Sequence, residues 1–197
     1  MAVGHFILAS ASPRRQQLLR EAGYQFDIVP ANLDEAALAG DLGPSDTART
    51  LALAKAEQVA PQFPDELVLA ADTIVTFGEM VLGKAADADA ARKMLRLLAG
   101  TTHLVITGVA AIRIADNFNR VTRVTTAVRM NPLTPQQIEA YIATNQWQGK
   151  AGSYGIQDAD PFCTRVSGCN TNIVGLPMTT TRAMLREAGI EPNPPAT

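Results

Sequence analysis

Cysteine and histidine are nearly absent from this chain of 197 residues, at two of each. Cys163 and Cys169 do not make a disulfide-stapled scaffold, and they read as reduced, structural thiols. His5 and His103 are isolated, and no Cys/His cluster has zinc-ligand spacing. Neither sign of charge is in large excess. The 17 Lys and Arg against 19 Asp and Glu give a formal charge of -2, which argues against nonspecific binding to nucleic acid or to an anionic membrane. No uninterrupted apolar run is long enough to cross a bilayer. The first residues lack the basic segment, apolar core and cleavage site of a secretory signal, so a cytoplasmic protein is expected. Internal repeats, low-complexity blocks and linkers are missing as well. One domain over residues 1–190 is expected, with the proline-rich residues 191–197 as a disordered tail.

Hydrophobic residues make up 47% of the chain, enough for a real core. The first stretch with chemical content lies near the start. Ile7, Leu8 and Ala9 end a short apolar run. Ser12 and Pro13 have the residue types of a helix N-cap and first helical position, and Leu18, Leu19 and Ala22 continue a helical stripe that Gly23 stops. Arg14 and Arg15 fall in the first turn, where the helix dipole disfavours cations by a few tenths to ~1 kcal/mol each. A bound anion reverses that sign, with backbone N–H groups, both guanidinium groups and the hydroxyls of Ser10 and Ser12 converging on phosphate. The alternative is two solvated arginines on a surface helix.

Asp72 is the second feature. The stretch 67–77 reads as a buried strand with a single charge in its middle. An unpaired ionised carboxylate in an apolar interior costs several kcal/mol, so Asp72 must be paired, protonated or bound to metal. That favours a functional role over a structural one. Elsewhere, residues 24–30 read as a strand, followed by a loop with adjacent acids Asp34 and Glu35, which by themselves make a solvated acidic turn. Ser45 or Asp46 caps a helix running to about Ala60. Its apolar stripe includes Lys55, which either snorkels past the core or reaches a buried anion. A hairpin turn at Gly78 and Glu79 leads to a short strand ending in Gly83 and Lys84, the latter a surface lysine or a phosphate contact. Asp87 caps a third helix that Gly100 stops. Two long strands near 102–115 and 119–130 follow, with Val124, Thr126, Val128 and Met130 on one face. Thr134 caps a fourth helix. Residues 150–157 are glycine-rich, which permits close backbone approach to a ligand. A strand near 162–166 and a last helix stopped by Gly189 complete an α/β pattern with a mixed sheet.

The run Ser10-Ala11-Ser12-Pro13-Arg14-Arg15 after the first strand resembles the opening motif of the Maf family of nucleoside-triphosphate pyrophosphatases, also called septum-formation inhibitor proteins. Further blocks recur in the family's order: Ala71-Asp72-Thr73-Ile74-Val75, Gly83-Lys84, Thr107-Gly108-Val109, the stretch from Lys150 to Gln157, and Val174-Gly175-Leu176-Pro177. The resemblance implies an α/β/α arrangement around a long mixed sheet with a cleft between two lobes, similar to that of the inosine-triphosphate pyrophosphatases. It implies cleavage of a nucleoside triphosphate between the α and β phosphates, giving a monophosphate and pyrophosphate, with a divalent metal cation, Mg2+ or Mn2+. It makes Ser10, Arg15, Lys55 and Lys84 phosphate ligands, Asp72 the catalytic proton acceptor, and Glu35 and Asp72 the metal-binding pair. Arg14, Thr73 and Gln157 resemble the combination of the branch that acts on dTTP and UTP. A homodimer is the family's expectation.

Three departures from the family pattern stand out. Ala85 follows Gly83-Lys84 where proline is usual. Asp158-Ala159-Asp160-Pro161 replaces a more glycine-rich segment after Gln157. Cys169-Asn170-Thr171-Asn172 replaces an aromatic-containing turn. The last two bear on base preference more than on the reaction. Two other readings stay open, a 7-methyl-GTP pyrophosphatase and a nucleotide-binding regulator of cell division without turnover. Asp72, Glu35, Lys55 and Lys84, all intact, argue against the regulator. Strand alternation sends the side chains of Asp72 and Thr73 to opposite faces, so service at one site requires a twist or break in the strand, or use of the Thr73 backbone.

Overall fold

Three long antiparallel strands form the spine of the computed structural model, which describes residues 4–40, 42–158 and 162–193. They are β3 (Leu67–Phe77), β5 (Thr102–Arg113) and β6 (Phe118–Met130). β1 (His5–Leu8) runs parallel to the first part of β3, and β2 (Gln25–Ile28) runs parallel to β1 outside it. β7 (Cys163–Ser167) closes the other edge against β6, and β4 (Met80–Leu82) folds back on the end of β3. The order is β2-β1-β3-β5-β6-β7, with β4 on β3. Local connections explain the mixture. A two-residue turn with Gly78 at φ 57° makes the β3–β4 hairpin, whereas the parallel β1–β2 pair needs the crossover helix α1 (Pro13–Glu21).

The strand alternation sorts the core into layers. Leu67, Leu69 and Ala71 of β3 pack with Leu19 of α1 and Leu185 of α7 (Met178–Glu187). Val68 and Ala70 point the other way, to Ala52, Ala56 and Val59 of α3 (Pro44–Val59). Farther along the sheet, Val75, Val105 and Val128 join a separate cluster with α4 (Ala88–Leu98) and α5 (Pro135–Ala143). Helices thus cover both faces of the mixed sheet, as expected. Apolar clusters at opposite ends of the same long strands make the two lobes.

The seam between them is where the site lies. Pairing of β1 with β3 stops at Leu8 and Leu69, with one more hydrogen bond from Ala9 N–H to the Leu69 carbonyl. β5 occupies the other side of β3 throughout, and β4 takes up the β1 side only from Val75. Residues 70–74 of β3 therefore face a gap in the sheet, and Asp72 and Thr73 stand in it.

Helix starts follow the sequence with one shift. Asp87 accepts the Ala90 N–H at the start of α4, and Thr134 forms a capping box with Gln137 on α5. α3 opens earlier than Ser45 or Asp46, with Gly43 as N-cap and Pro44 in its first turn, a position that the fixed φ of proline suits. Two short helices replace expected irregular chain. α2 (Glu35–Ala39) arises in the acidic loop, where Asp34 Oδ1 accepts the Ala37 N–H. α6 (Asn170–Val174) ends at Gly175, whose φ of 122° favours glycine. Cys163 and Cys169 are unbridged, and burial, with Asp158 nearby, pushes the Cys163 thiol up to about 11. Of the expected tail, Asn193 donates its N–H to the Gly23 carbonyl, and residues 194–197 lie outside the described residues. No helix among the described residues is long and apolar enough to cross a membrane.

Candidate active site

Lys55 sits on the face of α3 that packs against the sheet, so its side chain runs inward. Its Nζ lies 2.6 Å from Asp72 Oδ1 and 2.7 Å from Glu35 Oε1. The buried lysine therefore reaches anions rather than snorkelling past the core. Lys55 and Asp72 are buried, while Glu35, at the start of α2, is half exposed. Burial alone would raise the Glu35 pKa. The hydrogen bond and charge of Lys55, with Lys84 and Arg15 beyond, outweigh it and hold that carboxyl below the usual range. Asp72 Oδ2 and Glu35 Oε2 accept no hydrogen bond among the described residues.

Arg15 occupies the opposite face of β3. Its Nε donates to the Gly175 carbonyl at 2.9 Å, Nη1 to Ser10 Oγ at 2.9 Å and Nη2 to Thr73 Oγ1 at 3.1 Å. Thr73 Oγ1 also lies 3.0 Å from Thr107 Oγ1 and 3.3 Å from the Gly175 carbonyl. A guanidinium has five N–H groups, so two stay available on Arg15 for an incoming anion. Burial pushes the pKa of Arg15 down and Asp72 opposes the shift. The neighbouring Arg14 spans to the far side, donating from Nε to the Val174 carbonyl at 3.4 Å and from Nη2 to the Gly149 carbonyl at 3.1 Å.

The two faces meet in one cavity of about 750 Å³. Its lining includes Ser10, Arg14, Arg15, Glu35, Lys55, Asp72, Thr73, Lys84 and Gln157, every site residue singled out from the sequence. Asp72 and Thr73 do obey strand alternation, one toward α3 and the other toward α1. They share the cavity because the sheet is open beside them. Lys84 is exposed at the end of β4, bridged through its backbone to Ala151, and Gln157 is exposed on the cavity wall.

Family-wide comparison agrees with this arrangement of motifs, since residues 5–188 match the Maf-like protein family. The chain belongs to the Maf family. A dTTP/UTP pyrophosphatase of Moorella thermoacetica is 44% identical over 186 residues, spanning 94% of this chain and 95% of the relative. Another dTTP/UTP pyrophosphatase, from Novosphingobium aromaticivorans, is 44% identical over 187 residues, spanning 94% of this chain and 92% of its own. Among solved structures, a HAM1 protein from Coxiella burnetii superposes with a TM-score of 0.44 at 18% identity, over 65% of this chain and 73% of that one.

In this Maf-family chain no group of three or more His, Cys, Asp or Glu could hold a metal ion among the described residues. Glu35 and Asp72 supply two carboxylates that meet at Lys55 Nζ, each with its second oxygen free of hydrogen bonds among the described residues. That donor set fits a hard divalent ion of the kind that takes one or two carboxylates and completes its shell with substrate phosphates and water. Sequence reasoning gave no role to several residues in or near the site. Thr107 and Gly175 anchor Thr73 and Arg15 from β5 and from the end of α6. Lys150 pairs with Asp158, to which Tyr141 of α5 also donates at 2.6 Å. His103 is buried, with Nε2 2.5 Å from the Tyr154 hydroxyl and Nδ1 without a partner among the described residues. Burial drops its pKa to about 4, so the imidazole is neutral. Tyr141 and His103 sit in ordinary helix and strand patterns, so neither stood out locally.

Proposed function

We propose that this protein is a dTTP/UTP pyrophosphatase, cleaving the bond between the α and β phosphates to give a nucleoside monophosphate and pyrophosphate. The observation that carries the reading is the Lys55 ammonium set between Asp72 and Glu35, on the floor of a cavity whose walls bear Ser10, Arg15 and Lys84. Donors and carboxylates in that mixture suit a triphosphate, whose charge needs cations, and a hydrolysis, whose water needs a base.

Asp72 is the base in this reading. Its Oδ2 accepts a proton from water as the water oxygen bonds to the α phosphorus. The bond from that phosphorus to the bridging oxygen breaks, and its electron pair leaves with pyrophosphate. Arg15, Ser10 and Lys84 donate to the phosphates and stabilise the charge that builds on the leaving group. Lys55 keeps the two carboxylates compatible in the free protein and is placed to donate to phosphate once substrate enters. Glu35 and Asp72 would hold Mg2+ or Mn2+, whose chemistry is to neutralise phosphate charge and lower the pKa of bound water. The substrate is a metabolite of the cytosol, which we take to be the protein's compartment.

The names of the curated relatives support the pyrimidine reading over 7-methyl-GTP. A pure binder has no use for a buried carboxylate with a free oxygen facing the cavity, which favours turnover over a regulatory role. The test is product analysis with dTTP, UTP and 7-methyl-GTP in Mg2+ or Mn2+. Pyrophosphate and the monophosphate should form from the first two, and chelation should stop the reaction. Orthophosphate with a nucleoside diphosphate would overturn the proposed bond cleavage.

A further inference from the structure

The segment from Lys150 to Asp158 forms one wall of the cavity, and its two ends are tied together. Lys150 Nζ is paired with Asp158 Oδ1, with the two side chains 10% and 8% exposed. Tyr141 donates its hydroxyl to Asp158 Oδ2 at 2.6 Å. One buried carboxylate thus gathers a cation from its own segment and a hydroxyl from α5. Low polarity around it strengthens both bonds and penalises the loss of either. Burial, reinforced by Asp158, keeps the Tyr141 proton in place, so the phenol stays a donor.

The middle of the segment is pinned separately. Ala151 bridges Lys84, and Gly152 donates its N–H to the Gly83 carbonyl at 3.0 Å. Ser153 is fully buried in left-handed backbone at φ 63°, with Oγ 3.3 Å from Met94 Sδ. The chain then curls tightly around the ion pair. A β-carbon on Gly155 would fall 2.8 Å from Asp158 Oδ1 and 2.9 Å from Lys150 Nζ. Gln157 has no side-chain hydrogen bond among the described residues and lies exposed on the cavity wall. Its position is therefore inherited from its neighbour, Asp158, and from what that carboxylate holds.

We propose that Asp158 is a positioning residue for base selection, clamping Lys150 and Tyr141 so that the wall presents Gln157 to the base of a pyrimidine nucleotide. The proposal rests on the dTTP/UTP reading above. The amide of Gln157 offers both a donor and an acceptor, which suits the edge of a pyrimidine only if the wall is fixed. Asp158 does not touch the reacting phosphates, so its loss should change substrate binding and choice rather than the chemical step.

The test uses Tyr141→Phe, Asp158→Asn and the double variant Lys150→Met with Asp158→Leu. Apolar replacement of a buried ion pair commonly preserves the fold, so the double variant removes the clamp without leaving an unpaired charge. Two readouts are taken: kcat and KM for dTTP, UTP and 7-methyl-GTP, and hydrogen exchange of residues 151–157 in the nucleotide-free protein. In the double variant, KM for dTTP and UTP should rise about tenfold with kcat within about threefold, and the preference over 7-methyl-GTP should fall about tenfold. Tyr141→Phe and Asp158→Asn should move the same quantities in the same direction by less. Exchange in residues 151–157 should quicken while that of β3 and α3 holds. A folded double variant with wild-type KM and preference overturns the proposal, since a packing role alone gives that result. Unchanged exchange also overturns it, even if the wild-type chain releases no pyrophosphate from pyrimidine nucleotides and the functional reading fails on its own account. Should the double variant fail to fold, the two single variants carry both readouts.

Discussion

Gly108 stands directly opposite Asp72 in the β3–β5 ladder, and the Ala48 carbonyl of α3 occupies the space its β-carbon would take, 2.1 Å away. Only a residue without a side chain lets the helix lie this close to the sheet. Lys55 follows Ala48 by about two helical turns, so the contact at Gly108 also sets the reach of Lys55 to Asp72. Gly108→Ala should push α3 outward, cost about 1–3 kcal/mol of stability through overpacking, and lower turnover by separating Lys55 from the carboxylates. Thermal unfolding and pyrophosphate release on the same preparation check it. A variant with both values unchanged would show that the close approach does not position the site.

Asp72→Asn tests the base. The amide keeps the size of the side chain and one acceptor for Lys55, so circular dichroism should report an unchanged fold. Turnover of dTTP should fall ~10²–10⁴-fold, the usual cost of a lost general base. Near-normal turnover in the presence of metal would remove Asp72 from the catalytic role.

Thr73 and Gln157 should behave differently from each other. The Thr73 hydroxyl is engaged with Arg15, Thr107 and the Gly175 carbonyl. Thr73→Val deletes an acceptor for a charged donor at little change in volume. Loss of one such bond should raise KM for dTTP and UTP together, by roughly tenfold. Gln157→Glu removes the amide donor and should instead change the ratio of dTTP to 7-methyl-GTP. Steady-state kinetics on all three nucleotides separates the two effects. A change in base ratio from Thr73→Val alone would place that side chain at the base.

Acid sensitivity should trace in part to His103. Its pKa is about 4 in the folded chain against an ordinary 6.5, because burial penalises the charged ring. Between those values the unfolded chain binds the extra proton. Stability is therefore full above about pH 6.5 and is lost as pH falls toward 4, by up to ~3 kcal/mol from this residue. Urea unfolding at pH 7 and pH 4.5 should show a smaller difference for His103→Gln than for the wild type. Equal differences in the two proteins would sink the assignment.

Asp72 and Lys55 are legible in the sequence because each violates a pattern: one charge in an apolar strand, one charge on the apolar stripe of a helix. The mixed sheet and the long helices are legible because their hydrophobic period runs over enough residues to be read. α2 and α6 are not, since five residues make too little of a helix for a stripe to appear. Meeting points between distant segments also escape. Tyr141 and Asp158 are 17 positions apart, and Arg15 and Gly175 are 160 apart; only the folded chain joins them. The apparent conflict between Asp72 and Thr73 has the same origin. Alternation is a local rule and holds, but where the sheet opens is decided by the lengths of β1 and β4.

That opening leaves main chain as well as side chains facing the gap in the sheet. The Leu69 carbonyl points toward β1, where Ala9 takes it up. Successive residues of a strand aim their N–H and C=O to alternate sides, so Ala71 and Thr73 direct theirs into the gap, beyond the end of β1 and before the start of β4. Peptide groups cannot be deleted by exchanging a side chain. Whatever portion of nucleotide recognition they carry is passed on unchanged through substitutions that would erase a contact from lysine or arginine, giving the pocket a part that mutation cannot easily reach.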